Sequence, residues 1–282
     1  MRTTNLPILD FSDFNGDAAA RAALIKKIDR AARETGFFYL KNFGIDVKLI
    51  AEAFAQSRAF FALPAAEKAE LLWDRTNRGY DGLEAQSFNA GQPGDLKESF
   101  RFTAEPDMTR WVDAEAAWNF LVNQPNTWPQ RLPRFRHVLL SFLSGCGDLV
   151  DDILTALEQG LEMAEPALSK SHLRRNYTMR LIRYPGVSST PKAGQARCGE
   201  HTDWGTISCC SRRRGRVGGA LPLGNVDSRS TTRRMRPREH RGSIGSVDGR
   251  PAGLHPTPGE GRVVTWGCSG PLFDCALLLR GF

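Results

Sequence analysis

The chemistry of this chain begins at "GEHTDWGTIS", residues 199–208. His201 and Asp203 stand two positions apart, so on a strand edge their side chains leave the same face. An imidazole and a carboxylate so placed are two corners of the three-ligand set that holds ferrous iron and leaves positions open for a co-substrate and dioxygen, provided a second histidine arrives from elsewhere. The same pair also suits a solvated turn in which Asp203 accepts backbone N–H bonds. Two residues alone do not decide between them.

Other candidate ligands are weaker. His137 lies within "RFRHVLLSF" and His172 beside the same helical region, where solvated or core-satisfied roles are expected. His240 sits in an arginine-rich stretch and takes no role. His255 follows His201 by 54 residues, a tempting distance for a third ligand, but "GLHPTPGEG" has no strand character, so it reads as coincidence. Six cysteines (146, 198, 209, 210, 268 and 275) form no CxxC pair or regular framework. Reduced, mostly buried thiols are expected rather than a zinc or disulfide scaffold.

The elements that must position the His-x-Asp pair are legible over the first 210 residues. "LPILDF" alternates like a short strand, and "DAAARAALIKKIDRAARETG" has helical spacing and stops at Gly36. "GFFYLKNFGI" is a β-rich run bounded by glycines. A second helix is expected from about Asp46 to Phe61, with a further helix start at Pro64. "LPRFRHVLLSFLSGCGDLVDDILTALEQGL" reads as a long helix, and "NYTMRLIRYP" as a strand ending at Pro185. The loop "GVSSTPKAGQARCGE" then delivers the chain to His201.

The 282 residues, 41% hydrophobic and 24% charged, are ordinary for a globular protein able to bury a sizeable core. No apolar run reaches the roughly 20 residues of a membrane span, and the N-terminus lacks a secretory layout, so a cytoplasmic location is expected. The net charge of +7 is confined to the tail: residues 1–210 carry 25 basic and 26 acidic side chains, residues 211–282 carry 13 arginines, no lysine and 5 acids.

That tail has no helical or alternating period. A disordered nucleic-acid-binding tail would interleave aromatics for base stacking, and residues 211–265 have none, so nucleic acid is not the expected partner. A shifted reading frame accounts for the composition better. Back-translated and moved by one nucleotide, "GPLFDCALLLRGF" can give "ARYSIALFFFEA", "MRPREHRG" can give "CVPENTVV", and residues 256–258 can give Pro-His.

Taken in order, "GFFYLKNFGI", "AFFALPAAEKAEL", "RGYDG", "GDLKESFRF", "RLIRYP" and "GEHTDWGTIS" resemble the isopenicillin N synthase-like family of Fe(II)/2-oxoglutarate-dependent oxygenases, over about residues 5–210. The resemblance implies a mixed α+β fold: a double-stranded β-helix (jelly-roll) core with a helical N-terminal region. It divides the chain into an N-terminal region (1–120), the long helix and first half of the β-helix with the His-x-Asp motif (121–210), and the aberrant tail (211–282), where C-terminal strands are expected to be missing or disordered. It implies His201 and Asp203 as iron ligands, Tyr184 beside the co-substrate, and Fe(II), 2-oxoglutarate and dioxygen as cofactors. It further implies a third ligand, a histidine, some fifty-odd residues later and an Arg-x-Ser that anchors 2-oxoglutarate, neither present in usable form: Arg241-Gly242-Ser243 precedes His255, the wrong order. Arg101, Phe102 and Tyr80 are candidate pocket-lining residues by analogy, with packing roles as the alternative. The implied activity is hydroxylation, desaturation or ring closure of a small organic molecule by a monomer. A family oxidase that uses no 2-oxoglutarate and an inactive product are the alternatives.

Overall fold

The computed structural model describes residues 6–34, 36–73, 78–87, 91, 93–105, 125–164, 166–172, 177–186, 191–198, 207–213, 262–265 and 275–281. The chain enters through β1 (Ile8–Asp10) and a 3-10 turn (Phe11–Asn15). Helix α1 (Ala18–Glu34) is opened by Asp17, whose carboxylate accepts the Ala20 N–H at 2.8 Å, and it buries Leu24, Ile25, Ile28 and Ala31 along one stripe. Gly36 ends it at φ +72, the left-handed conformation that a helix stop uses glycine for. Strand β2 (Tyr39–Lys41) runs parallel to β1 with Leu40 opposite Leu9.

Helix α2 (Val47–Phe61) is capped by Asp46, which accepts the Lys48 N–H at 2.8 Å, and α3 (Ala65–Ala69) follows Pro64. The long helix α4 (Phe135–Gly160) and the short α5 (Ala167–Ser171) complete the helical layer. The bounds of α1, α2 and α4 and the start of α3 match the sequence expectations to within a few residues, and α5 adds to them.

The sheet is built from β3 (Gly79–Asp81), β4 (Glu98–Thr103), β5 (Tyr177–Arg183), β6 (Ile207–Arg213), β7 (Arg262–Thr265) and β8 (Cys275–Gly281), in the order β3-β4-β5-β8-β6-β7. The last strand in sequence lies between β5 and β6, antiparallel to both. That interleaving of late and early strands is how a jelly roll closes its sheet. Two stretches of the tail therefore enter the sheet, and the expected gap in the C-terminal strands is partly filled. Ladder pairing needs backbone groups rather than an alternating side-chain pattern, so "CALLLRG" serves.

The two faces of this sheet differ in kind. Phe100 and Phe102 of β4, Tyr177, Met179 and Leu181 of β5, and Cys209 of β6 share one face and are buried. They meet the helices through an aromatic cluster, with ring centroids 4.7 Å apart for Phe60–Phe100, 5.4 Å for Phe60–Phe135 and 5.6 Å for Phe100–Phe135. The period-two alternation sends Ser99, Arg101, Thr103, Thr178, Arg180 and Ser208 to the other face. Apolar burial fixes the register, and the register fixes which polar residues face away from the helices.

Candidate active site

The polar face carries a compact charged cluster. Arg101 of β4 lies directly opposite Arg180 of β5. Like charges in that arrangement repel, and here a carboxylate stands against both. Asp81 Oδ2 accepts from Arg101 Nη2 at 2.6 Å and lies 3.8 Å from Arg180 Nη2. Gln86 and Ser99 also donate to that oxygen, at 3.0 and 3.3 Å. Arg180 donates from Nε to Ser99 Oγ at 3.0 Å and from Nη2 to the Gln86 side-chain oxygen Oε1. Arg180, Asp81 and Ser99 are all buried.

Around this cluster two loops are tied together. Leu96 donates its N–H to the Ala196 carbonyl at 2.9 Å, and the Gln195 amide donates to the Gly94 carbonyl at 3.0 Å. Lys192 pairs with Glu84. The segment leading to His201 is thus held against the 84–97 loop that supplies Gln86. Lys97 bonds Asp95 within the same loop and reaches Cys198 Sγ at 3.7 Å.

Tyr184 follows the last residue of β5 and is partly buried at this end of the polar face. Burial first, then the neighbouring Cys198 and Cys210 sulfurs, push its phenol well above the ordinary range, against the opposing Arg180 charge. It therefore keeps its proton and acts as a donor near neutral pH. His201, Asp203 and His255 lie outside the described residues. Among the described residues no trio of metal-ligating side chains is assembled. The donor set of His201 and Asp203, one imidazole nitrogen and one carboxylate oxygen, is of the type that suits ferrous iron.

The three pocket candidates separate by face. Phe102 is a core residue, and Tyr80 turns toward the helices, where its hydroxyl donates to Glu98 at 2.6 Å. Only Arg101 reaches the polar face. Glu98 also receives Lys68 at 2.8 Å and Arg183 at 2.5 Å. Burial pushes its carboxyl up, and the Lys68, Tyr80 and Arg183 hydrogen bonds outweigh that and hold it below the usual range. His137 is exposed, as a solvated residue would be; His172 is buried with Nδ1 2.8 Å from the Leu168 carbonyl and Nε2 without a partner, so the expected core role is only half satisfied. Cys146, Cys198, Cys209 and Cys210 are free thiols, and Cys198 is exposed rather than buried.

Sequence reasoning misses Asp81, Gln86 and Arg180 as members of one cluster. The available signal is Arg180 itself, an arginine at an alternating position of an otherwise apolar strand.

With this geometry in place, the comparisons with known proteins are consistent. Residues 6–131 match the family described as the non-haem dioxygenase in morphine synthesis N-terminal region. The 2-oxoglutarate-Fe(II) type oxidoreductase hxnY of Emericella nidulans is 31% identical, over 74% of this chain and 61% of its own length. A homoarginine-6-hydroxylase of Arabidopsis thaliana is 29% identical, over 79% of this chain and 62% of its own length. A full-length Neurospora crassa protein, crystallised in complex with alpha-KG and thymine, superposes with a TM-score of 0.60 at 26% identity, covering 76% of this chain and 67% of that one. The fold is thus that of the jelly-roll oxygenases. Over the matched residues the chain is similar to 2-oxoglutarate–Fe(II) oxygenases. It spans about three-fifths of the length of the curated relatives it matches. No helix among the described residues is long and apolar enough to cross a membrane.

Proposed function

We propose that the chain is a ferrous iron- and 2-oxoglutarate-dependent oxygenase that acts on a small organic molecule. His201 and Asp203 are two iron ligands and Tyr184 stands beside the co-substrate. The observation that carries this reading is the similarity to the oxidoreductase hxnY over 74% of the chain, joined to the position of strand β6, whose first residue, Ile207, follows Asp203 by four positions.

Ferrous iron, when bound, supplies the coupling of dioxygen and 2-oxoglutarate, with release of succinate and carbon dioxide, to oxidation of a substrate C–H bond. The chain's own residues do the rest. The protonated Tyr184 hydroxyl donates a hydrogen bond near the co-substrate. The Phe60–Phe100–Phe135 cluster keeps water from the helix-facing side of the sheet, and Glu98 clamps β4, β5 and α3 together at one end. Hydroxylation is the outcome proposed, with desaturation or ring closure as variants, in a monomer with no nucleic-acid partner. The third ligand and the arginine for the distal 2-oxoglutarate carboxylate belong to the family's later strands, and the shifted frame displaces them from residues 211–282.

The test is succinate formation from 2-oxoglutarate by the chain as it stands and by protein from a gene with the frame restored after codon 210. The restored protein is expected to turn over 2-oxoglutarate in an iron-dependent way, and the chain as it stands far less. Absence of both coupled and uncoupled turnover in the restored protein contradicts the reading.

A further inference from the structure

The buried guanidinium pair on the polar face asks for an explanation that folding does not give. Two arginines directly opposite one another on adjacent strands repel, and withdrawing them from water adds a desolvation cost. Apolar residues at these positions would satisfy the sheet at least as well, as Phe100 and Leu181 do in the adjacent row on the other face. The side chains of Arg101 and Arg180 are only 11% and 8% exposed, so neither merely decorates the surface.

Their arrangement suits an acidic ligand. Each guanidinium presents planar N–H donors that match a carboxylate in a two-point fork. Asp81 shows that this geometry already accepts one carboxylate: a single oxygen, Oδ2, gathers Arg101, Gln86 and Ser99, with Arg180 Nη2 at 3.8 Å. Trp73 beside it is 46% exposed, and the Arg101 guanidinium lies 5.6 Å from its ring centroid. In the other direction the register continues from Arg101 and Arg180 through β8 to Cys210, seven residues after Asp203. The cluster therefore lies between an exposed aromatic edge and the strand that follows the iron-binding motif.

We propose that Arg101 and Arg180 select the substrate of the proposed oxygenase by binding its carboxylate, with Asp81 holding the two guanidinium groups in register until the acid arrives. Resting on the oxygenase reading, the inference names the substrate class: a small organic acid with an apolar or aromatic body next to Trp73.

The experiment is equilibrium binding to the full, metal-free chain, followed by tryptophan fluorescence and calorimetry, with the matched probes 3-phenylpropanoate and 3-phenylpropanamide. The acid is expected to bind about tenfold or more tighter than the amide, because charge-assisted pairs are about twice as strong as neutral ones. Arg180→Gln and Arg101→Gln are expected to abolish that preference, and Arg101→Lys to keep part of it. A thermal transition measured on each variant separates lost recognition from lost folding. Should both Gln variants fail to fold, the acid-to-amide ratio on the unaltered chain and on Arg101→Lys decides. Equal affinity for acid and amide, no detectable acid binding, or a preference that survives in folded Gln variants overturns the inference. Iron-dependent succinate formation by the frame-restored protein reads the oxygenase proposal separately, so failure of either leaves the other result standing.

Discussion

Phe60 is the residue on which the helical layer and the sheet converge, and its truncation should be among the most damaging changes in the chain. Its side chain is 0% exposed and its ring meets Phe61 at 5.2 Å, Tyr80 at 6.0 Å, Phe100 at 4.7 Å and Phe135 at 5.4 Å. Phe60→Ala loses the transfer free energy of a buried aromatic and leaves a cavity among rings that are themselves held by α2, β4 and α4; the combined cost is about 3–5 kcal/mol. Each well-oriented ring pair adds about 0.5–1.5 kcal/mol beyond area, which places this position toward the upper end. Phe60→Leu keeps most of the volume and should cost about 1.5 kcal/mol or somewhat more. Urea unfolding followed by far-UV circular dichroism measures both, and the midpoint should fall while the slope stays constant. A Phe60→Ala loss below about 1 kcal/mol would refute the packing argument, since domains of ordinary stability have only about 5–15 kcal/mol in total.

Other consequences follow from single residues. The Glu98 carboxyl is held below its usual range, so its stabilising contribution is fully present above the ordinary glutamate pKa and is lost as pH falls through the lower folded value. Glu98→Gln should lower the neutral-pH melting temperature, at a cost of about 3 kcal/mol, and flatten the acid limb of the stability profile; an unchanged acid limb would count against the network. Gly79 sits at φ +103, and a Cβ there would come within 2.6 Å of the Leu71 carbonyl oxygen and 2.8 Å of that of Leu72. Gly79→Ala should therefore destabilise by about 1–3 kcal/mol, read from the same unfolding curves, because the atoms in the way are backbone and the φ is one that L side chains rarely adopt. Sequencing the coding DNA across codon 210 should find one base gained or lost relative to a frame that continues the jelly-roll pattern, and an uninterrupted frame would leave the tail's composition without that explanation.

Much of the fold can be read from residue spacing, for identifiable physical reasons. Helices α1, α2 and α4 carry long apolar stripes, and α1 and α2 add sharp terminal signals: Asp17 and Asp46 as caps, Gly36 as a stop. Strand β5 is equally plain, since Tyr177, Met179 and Leu181 alternate up to Pro185. Strands β3 and β4 are hidden from a pattern search because they lie within a glycine-bearing polar stretch. In β4 the residues on both faces are buried or nearly so, Phe100 and Phe102 by the helices and Ser99 and Arg101 by the polar cluster, so its short alternation marks no solvent face. β8 is hidden because its partners lie about a hundred residues upstream in β5 and some sixty upstream in β6, and no local pattern announces a strand inserted between them.

The candidate site is legible in part. Motif spacing singles out His201 and Asp203, the family resemblance adds Tyr184, and the structure describes only Tyr184 among them. The charged cluster is not foreseeable because Asp81, Arg101 and Arg180 come from three strands, and only the sheet register brings them to one face. Sequence order gives no hint that the Gln86 loop would be tied to the loop ending at Cys198.

The most direct test of the central claim is anaerobic equilibrium dialysis of ferrous iron against the frame-restored protein in the presence of 2-oxoglutarate, compared with its His201→Ala and Asp203→Ala variants. The account predicts measurable binding that 2-oxoglutarate strengthens, with each substitution weakening it by more than the about 10–100-fold that loss of an outer-shell partner costs. A folded chain that holds no ferrous iron, or holds it equally well after both substitutions, would contradict it.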